Sequence, residues 1–343
     1  MLSEDQGLII NGDRDNLNFG IGGRQGGDVN NDGFADLLIG APGGGNVAGG
    51  GESHLIFGDG DALFRDGVAG ETLSGNSQDN IILGAGGDDT LRGGNGEDSL
   101  KGGIGADILI DQGDNDILIG NAGDDRLNGG TGADMMRGGT GDDIYTVDNV
   151  GDIVCERFGE GLDRINTTVD FTNPGHVEFL VVSSTSQGLN LNGSQFRDQI
   201  SGANKISIGD VINGRAGNDL IVGKVEDDLL FGGEGNDRLF GNSGNDTFNG
   251  GVGNDVMTGQ QGNDRYEFFS SDGRDTITDF TTGEDILAVG QFFANLGEVQ
   301  AATEDVSGNA RITFAPGGNF LTLLGVTEAQ LSSSDFDFNP LIS

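Results

Sequence analysis

Residues 84–146 read GAGGDDTLR GGNGEDSLK GGIGADILI DQGDNDILI GNAGDDRLN GGTGADMMR GGTGDDIYT, which are seven nine-residue units joined without an insertion. The sixth position of every unit is aspartate, and the eighth position is apolar or aromatic. Two weaker units in the same phase, 66–74 and 75–83, precede them. A constant short period indicates a repeat architecture whose units stack on one another. The sixth-position aspartates are Asp89, Asp98, Asp107, Asp116, Asp125, Asp134 and Asp143.

A second array with the same period runs over residues 214–267, and residues 205–213 extend it backwards in phase. The only two tyrosines of the chain, Tyr145 and Tyr266, hold the eighth position in the last unit of each array. This correspondence points to an ancestral duplication. The sixth-position aspartates of the second array are Asp210, Asp219, Asp228, Asp237, Asp246, Asp255 and Asp264.

The order of residue types within the unit predicts its local structure. Glycine at the first, second and fourth positions permits the positive φ angles of a tight turn. The seventh to ninth positions, with one apolar side chain between two freer ones, predict a three-residue strand that faces a narrow core. Two units then make one coil, and each aspartate stacks on the aspartate two units later. We therefore expect an all-β solenoid of stacked coils in two arrays.

The stacked aspartates predict metal sites between the coils. Two carboxylates and several backbone carbonyls would face each gap, and an all-oxygen site of this kind suits Ca²⁺ better than Mg²⁺, whose small octahedral shell is less tolerant. Five stacked aspartate pairs in each array, with one further site near the N-terminus, predict about eleven ions. The units that carry Asp114 and Glu226 at the fourth position depart from the glycine pattern. If the sites of Asp116 and Asp228 fail for this reason, the number falls to about eight.

The repeated unit resembles the consensus G-G-x-G-x-D-x-U-x of the RTX (repeats-in-toxin, haemolysin-type calcium-binding nonapeptide repeat) family. The resemblance covers residues 66–146 and 205–267. It implies a parallel β-roll with Ca²⁺ between the turns, held by the fourteen sixth-position aspartates named above. The alternative is a disordered tract rich in glycine and aspartate, which would not require an apolar residue at every eighth position.

A different motif, GDVNNDGFADLLIGAP, occupies residues 27–42. Its first residues fit an EF-hand loop, but the twelfth position of that loop is Ile39 rather than glutamate, and the flanking segments read as strands. The motif instead resembles the FG-GAP repeat of integrin-type β-propellers, which implies Ca²⁺ bound by side chains and one carbonyl. One unit cannot close a propeller, so we expect a cap or a remnant, and a metal-free hairpin is the alternative. The implied ligands are Asp28, Asn30, Asp32, the carbonyl of Phe34, and Asp36.

Between and beyond the arrays the pattern loosens. Alternating apolar residues broken by glycine and asparagine in residues 147–204 predict short strands that continue the solenoid at a looser pitch. The C-terminal residues resemble the segment that follows the last unit in many RTX proteins, and this resemblance implies an uncleaved type I secretion signal; a polar cap is the alternative. The predicted divisions are an FG-GAP-like module with a calcium loop, a first roll array, a connector, a second roll array, and a cap with the secretion signal: 1–65, 66–146, 147–204, 205–267 and 268–343.

Composition sets limits on partners and compartment. The 343 residues include 67 glycines, and 56 acidic against 17 basic side chains give a net charge of −39. Such a surface repels nucleic acid and anionic membranes, so neither is an expected partner. No run of 18 apolar residues predicts a transmembrane segment, and the first residues do not read as a Sec-type leader. The self-repulsion and the glycine entropy need an opposing term, which divalent cations can supply.

No catalytic motif is recognisable. The only histidines, His54 and His176, are too far apart for a metalloprotease helix, and no G-x-S-x-G elbow occurs. We therefore expect a non-catalytic calcium-binding protein, secreted or associated with the cell surface, that acts as a structural or surface-interaction module. Its expected partners are calcium ions, a type I secretion apparatus, and an extracellular polysaccharide or a cell surface. The alternative is the non-catalytic part of a secreted RTX enzyme or toxin, such as a protease, lipase, haemolysin or polysaccharide-modifying enzyme.

Overall fold

The computed structural model describes residue 70 and residues 72–183, 188–204, 208–269, 271–314 and 318–339, together with the backbone of four strands nearer the N-terminus. These parts hold 32 β-strands, one α-helix and two short 3-10 helices. The chain divides into two compact units, Met1–Asp163 and Arg164–Ser343, and each is described by itself.

The first unit consists of β-strands alone in its described part. Most of them are three or six residues long. In chain order they are β1 Gln25–Gly27, β2 Asp36–Ala41, β3 Glu52–Ile56, β4 Ala62–Arg65, β5 Thr72–Ser74, β6 Ile81–Gly86, β7 Thr90–Arg92, β8 Ser99–Ile104, β9 Ile108–Ile110, β10 Ile117–Ala122, β11 Arg126–Asn128, β12 Met135–Thr140, β13 Ile144–Val147 and β14 Ile153–Val154.

Two parallel sheets form this unit. One has the order β4-β6-β8-β10-β12-β14, and the other has the order β5-β7-β9-β11-β13. Each strand pairs with the strand eighteen residues further along, so that Leu100 lies beside Leu118 and Leu118 beside Met136. Strands β1 to β4 are antiparallel to one another, and β4 joins the first sheet through a parallel pairing with β6. Two nine-residue units therefore make one coil.

The core between the two sheets is one side chain wide. The eighth-position side chains fill it, and all of them are buried. Burying an aliphatic side chain of this size contributes roughly 1.5–3 kcal/mol. The stack therefore supplies most of the apolar driving force of the unit. The residues are Leu73, Ile82, Leu91, Leu100, Leu109, Leu118, Leu127, Met136 and Tyr145.

The predicted three-residue strands occur on one face only in this unit. Strands β7, β9 and β11 cover the seventh to ninth positions, as expected. Strands β8, β10 and β12 continue for six residues, because the first three positions of the following unit also pair with the neighbouring coil. The glycines there extend the sheet rather than ending it.

The second unit contains the remaining strands and the helices. Its elements are β15 Arg164–Thr167, β16 Phe171–Thr172, β17 Phe179–Val182, β18 Asn190–Asn192, β19 Gln199–Ser201, β20 Val211–Asn213, β21 Leu220–Val225, β22 Leu229–Glu234, β23 Arg238–Ser243, β24 Thr247–Val252, β25 Val256–Gln261, β26 Arg265–Glu267, β27 Arg274–Ile277, β28 Ile286–Ala288, α1 Leu296–Ala301, β29 Thr303–Val306, β30 Asn309–Thr313, β31 Phe320–Leu323, two 3-10 helices at Glu328–Gln330 and Ser333–Asp335, and β32 Phe336–Asp337.

Parallel pairing again dominates in the second unit. One sheet has the order β16-β18-β20-β22-β24-β26-β28-β32, and the other runs from β15 through β17, β19, β21, β23, β25 and β27 to β31. Successive strands of the former connector are offset by 15, 20 or 21 residues, as in the pairs Ile165–Leu180, Leu180–Ile200 and Ile200–Ile221. The coils of this segment are therefore irregular in length, one shorter and two longer than the eighteen residues of the arrays. The predicted all-β parallel β-roll is confirmed in both units.

An aromatic cluster and a helix follow the last coil. The ring of Phe314 lies 5.3 Å from Phe268, 4.7 Å from Phe292 and 6.1 Å from Phe293. The ring of Phe320 faces the guanidinium groups of Arg274 and Arg311, at 5.4 and 4.9 Å. Among the described residues, no helix is long and apolar enough to cross a bilayer.

Candidate metal centres

The sixth-position aspartates form a hydrogen-bonded ladder in each unit. The backbone N–H of one aspartate donates to Oδ1 of the aspartate on the next coil, for example from Asp107 to Asp125 at 2.8 Å. In the first unit the donor and acceptor pairs are Asp89–Asp107, Asp98–Asp116, Asp107–Asp125, Asp116–Asp134 and Asp125–Asp143. In the second they are Asp210–Asp228, Asp219–Asp237, Asp228–Asp246, Asp237–Asp255 and Asp246–Asp264.

The ladder reaches further than the sequence predicts. Asp134 and Asp143 donate to Asp152 and Asp163, which follow the first array. In the second unit, Asp198 donates to Asp219, Asp255 donates to Asp275, and Asp264 donates to Asp285. Asp152 stands in phase with the repeat, eighteen residues after Asp134, so its spacing was a usable signal. The other additions follow spacings of 20 or 21 residues, which a strict nine-residue period does not find.

The second oxygen of these carboxylates is left without a partner. Among the described residues, twelve aspartates have a buried Oδ2 with no hydrogen-bond donor, and none of the twelve is more than 3% exposed. A buried anionic oxygen without a partner costs several kcal/mol. A cation or a proton must therefore neutralise it. The twelve are Asp98, Asp107, Asp111, Asp116, Asp125, Asp134, Asp143, Asp219, Asp228, Asp237, Asp246 and Asp255.

The first-position glycines make room for these oxygens. A Cβ on Gly120 would overlap with Oδ2 of Asp125 and would lie 2.8 Å from the carbonyl oxygen of Gly138. At Gly214 the corresponding atoms are Oδ2 of Asp219 and the carbonyl oxygen of Gly232. At these two glycines, the carboxylate oxygen and a carbonyl oxygen from the next coil thus share one small space.

The predicted reason for the first glycine is wrong. Positive φ angles occur at the second and fourth positions, as at Gly94 (123°) and Gly96 (103°), but not at the first. The first-position glycines of the regular units are needed because a Cβ there would overlap with a carboxylate oxygen, as at Gly84, Gly102 and Gly120. Asp114 and Glu226 do adopt the positive φ predicted for the fourth position, at 73° and 76°. The turns that contain them still place Asp116 and Asp228 in the ladder.

Burial raises the pKa of several ladder carboxylates. Desolvation is the main cause, and the neighbouring carboxylates add to it. The pKa is raised to about 7 for Asp125 and to about 8 for Asp228. It is raised to about 6 for Asp107 and Asp246, and to about 7 for Asp255. Asp125, Asp228 and Asp255 therefore carry a proton for much of the time at neutral pH unless a cation replaces it.

Within the part of the chain that the structure describes, two groups of three carboxylates lie close together. In each group one oxygen from every member lies within 4.8 Å of the others. The first group is Asp98, Asp111 and Asp116, and the second is Asp143, Glu156 and Asp163. Asp111 and Glu156 were not predicted, because the repeat pattern assigns metal ligands only to the sixth position.

Tyr145 and Tyr266, which lie in the last unit of each array, are near carboxylates that the repeat pattern does not predict. The hydroxyl of Tyr145 donates to Glu156 and accepts the N–H of Gly138 at 2.6 Å. In the second unit, Asp279 accepts the N–H of Gly259 at 3.1 Å. Burial and the carboxylates of Asp279, Asp264 and Asp285 raise the pKa of the Tyr266 hydroxyl. Glu156 and Asp279 thus each accept the N–H of the first glycine of the last unit, but among the described residues the Tyr266 hydroxyl has no hydrogen-bond partner, whereas the Tyr145 hydroxyl has two.

The donor set fits a hard divalent cation. It consists of carboxylate and carbonyl oxygens, which Ca²⁺ prefers, and it leaves oxygens that lack any other partner. The fourteen predicted aspartates lie in these ladders, and their role as ligands stays a prediction. Of the predicted N-terminal ligands, Asp28, Asn30, Asp32 and Phe34 lie outside the described residues. Asp36 begins strand β2, of which only the backbone is described.

Two known repeat families match the chain, and they are the two predicted repeat types. The RTX calcium-binding nonapeptide repeat (four copies) matches residues 74–109, 110–145, 209–230 and 231–266. The FG-GAP repeat matches residues 25–56. The chain therefore carries calcium-binding RTX repeats and one FG-GAP repeat, and this prediction is confirmed. No curated protein matches the chain in sequence.

Solved structures similar to the chain include the following two. One is the extracellular lipase LipA from Serratia marcescens, at 18% identity and a TM-score of 0.31, over 81% of this chain and 42% of the lipase. The other is the AlgE6R3 subunit of the Azotobacter vinelandii mannuronan C5-epimerase, at 22% identity and a TM-score of 0.27, over 50% of this chain and 84% of that subunit. The chain thus spans less than half the length of the lipase.

Proposed function

We propose that this chain is a secreted calcium-binding RTX protein that folds as it binds Ca²⁺ and then acts as a structural or surface-interaction module. The carrying observation is the row of buried Oδ2 atoms that have no donor. A fold that buries so many carboxylates is destabilised at neutral pH unless cations neutralise those that carry a charge. Calcium is thus part of the folding free energy and not an accessory.

The number of ions follows from the ladders. About eleven ions are proposed from the repeats alone, and the aspartates that extend the ladders offer further stacked pairs. In the described residues there are seven aspartate pairs in the first unit. There are eight in the second. Eleven divalent ions would reduce the net charge from −39 to about −17, which lowers the self-repulsion of the folded chain.

The calcium requirement also suggests where folding takes place. Extracellular calcium modules bind with dissociation constants of roughly 10⁻⁴–10⁻³ M, far above the calcium level inside a cell. The repeats would therefore stay unfolded, and able to thread through a type I exporter, until they meet calcium outside. In this proposal residues 66–146 and 205–267 are the calcium-dependent arrays, residues 147–204 connect them, residues 1–65 form the FG-GAP-like module, and residues 268–343 carry the export signal.

Circular dichroism of the full chain tests the folding part of the proposal. We expect little β structure in excess chelator and a cooperative gain of β structure when calcium is added. Magnesium at the same concentration should give a much smaller gain, because its octahedral shell fits the site poorly. Full β structure in chelator at neutral pH would contradict the proposal.

Export is tested in a cell that carries a compatible type I exporter. Deleting residues 287–343 should leave the protein inside the cell, whereas deleting residues 1–64 should not. Normal secretion of the C-terminal deletion would mean that this segment is only a cap. Zymography on several polymers and a haemolysis assay of the intact chain test the alternative of an enzyme or toxin module, and activity in either would overturn the non-catalytic assignment.

A further inference from the structure

One of the seven regular units in residues 84–146 carries a carboxylate at its first position, where the other six carry glycine. Asp111 stands at the first position of its unit. Its Oδ1 accepts the N–H groups of Gly94, at 2.9 Å, and of Gln112, at 3.0 Å. Its Oδ2 is buried and has no donor. Asp111 is therefore fixed by two backbone groups and presents one free oxygen to the interior.

The free oxygen of Asp111 meets two others of the same kind. The Oδ2 atoms of Asp98 and Asp116 are also buried without donors. Carboxylate oxygens of the three residues lie within 4.8 Å of one another. A Cβ placed on Gly93 would overlap with Oδ2 of both Asp111 and Asp98, so glycine at residue 93 keeps this space open. Asp111, Asp98 and Asp116 are 3%, 2% and 1% exposed, respectively.

These separations suit a single ion. With metal–oxygen distances of about 2.3–2.6 Å, two oxygens bound to one Ca²⁺ can lie at most about 5 Å apart. This site has three carboxylates, whereas a stacked aspartate pair of the ladder offers two. Affinity of a calcium site rises with the number of charged ligands and with the rigidity of the site. The backbone hydrogen bonds to Oδ1 of each residue supply that rigidity.

We propose that Asp98, Asp111 and Asp116 form a three-carboxylate cation site that holds its Ca²⁺ more tightly than the two-carboxylate sites of the first array. This inference rests on the proposed calcium-dependent fold. The other three-carboxylate group is a weaker candidate, because Glu156 already accepts hydrogen bonds from Tyr145, Gly138 and Gly139. The unit in which Asp111 replaces glycine thus contributes to a site that binds Ca²⁺ more tightly than the two-carboxylate sites of the first array.

The chain offers a matched control in the same turn. Asp114 is also an acid at a position where the repeat has glycine, and its φ of 73° suits glycine. Its Oδ2 accepts the N–H of Gly96 at 3.1 Å, outside the three-carboxylate group. Asp111→Gly and Asp114→Gly therefore remove the same charge and restore the same residue type. Asp111→Asn removes the charge and keeps the acceptor for Gly94.

The experiment counts bound calcium on the full chain by native mass spectrometry while buffered free Ca²⁺ is lowered. Hydrogen exchange of the Asp98 amide, which donates to Asp116, locates the change. As free Ca²⁺ is lowered, we expect both Asp111 variants to release one ion, and to lose protection of the Asp98 amide, at a free Ca²⁺ concentration about tenfold higher than the unsubstituted chain does. Asp114→Gly should release that ion and lose that protection at the same concentration as the unsubstituted chain. Circular dichroism in millimolar Ca²⁺ checks that each variant folds, and Asp111→Asn carries the test if Asp111→Gly does not.

Unchanged release in the Asp111 variants, or equal loss in Asp114→Gly, would overturn the inference while leaving the calcium-dependent fold intact. An unsubstituted chain that binds no calcium would instead overturn the proposed function, and the inference with it.

Discussion

The backbone N–H of Asp125 donates a 2.8 Å hydrogen bond to Oδ1 of Asp143, eighteen residues further along the chain, while Oδ2 of Asp143 is buried without a donor. The two oxygens of one carboxylate thus have separate tasks. Oδ1 joins neighbouring coils, and Oδ2 is the candidate ligand. The same division recurs along both ladders. It explains why one residue type is needed at the sixth position and why the fold depends on what neutralises it.

Substitution of Asp246 separates these two tasks. Asp246→Asn keeps an Oδ1 acceptor for the N–H of Asp228 but removes the charge, so the calcium midpoint of folding should rise several-fold. Asp246→Ala also leaves that N–H unpaired, which lowers the unfolding free energy by a further amount of about 1–3 kcal/mol. Calcium titrations followed by circular dichroism measure both effects.

The control for this pair is Asp227→Asn, which removes one exposed charge from the neighbouring turn. Asp227 Oδ1 accepts the N–H of Asn245 at 2.6 Å, and an asparagine can do the same. Its calcium midpoint should stay close to that of the unsubstituted chain. Equal shifts for Asp227→Asn and Asp246→Asn would mean that net charge, and not the ladder site, sets the midpoint.

Gly120→Ala tests the space beside the ligand oxygen. The added Cβ would overlap with Oδ2 of Asp125, so we expect a loss of about 1–3 kcal/mol in the unfolding free energy and a weaker calcium affinity. Gly113→Ala is the control, because its Cβ would meet only Thr131, at 3.2 Å from Oγ1. Urea unfolding in saturating calcium measures both. A larger loss for Gly113→Ala would contradict the conclusion that glycine at residue 120 keeps space open for Oδ2 of Asp125.

Without calcium, acid should stabilise the fold. The pKa of Asp125 is raised by burial to about 7 and that of Asp228 to about 8, above roughly 3.9 for unfolded aspartate. Between these values the folded state binds more protons than the unfolded state, so the unfolding free energy rises as the pH falls. Circular dichroism in chelator should therefore show a gain of β structure from about pH 8 to pH 5. A flat signal over that range would contradict the burial of these carboxylates.

With calcium present, ion binding should depend on pH in the opposite sense. Protons and Ca²⁺ compete for the same oxygens of the folded state, so lowering the pH should release bound Ca²⁺. The release should be largest between about pH 7 and pH 6, where Asp107, Asp116 and Asp255 take up protons. Native mass spectrometry at several pH values counts the bound ions, and an ion count independent of pH would rule out binding at these carboxylates.

Tyr145→Phe tests the end of the first array. Phe248 occupies the same position of its own unit, so a phenylalanine ring fits the core. The variant removes the hydroxyl that donates to Glu156 and accepts from Gly138, and a loss of about 1–3 kcal/mol in unfolding free energy is expected. Met136→Leu is an apolar control with a smaller expected loss. Equal losses for the two would show that the hydroxyl contributes nothing measurable.

The nine-residue period was enough to predict the fold. It placed the eighth-position residues in the core and the sixth-position aspartates in register, because a side chain repeated at a fixed spacing must recur at the same place in each coil. Burial of Leu118 and Asp116 in one unit shows both predictions at work. The period could not indicate that Oδ1 of each aspartate joins the coils, since that depends on the backbone of the neighbouring coil.

Residues outside the regular pattern were the ones missed. Asp163 and Asp285 lie 20 and 21 residues after their ladder partners, because the connecting turns are longer there. Asp111 read as a departure from glycine, and only its contacts with Gly94 and Gln112 show that it is held in the ladder interior. Sequence spacing identifies what repeats, whereas these side chains act where the repeat is interrupted.

Native mass spectrometry of the full chain in millimolar calcium tests the central claim most directly, because it counts the ions that the buried carboxylates are proposed to hold. We predict about eleven or more bound Ca²⁺, released together with the loss of β structure when a chelator is added. Three or fewer tightly held ions, with β structure unchanged in chelator, would contradict the account.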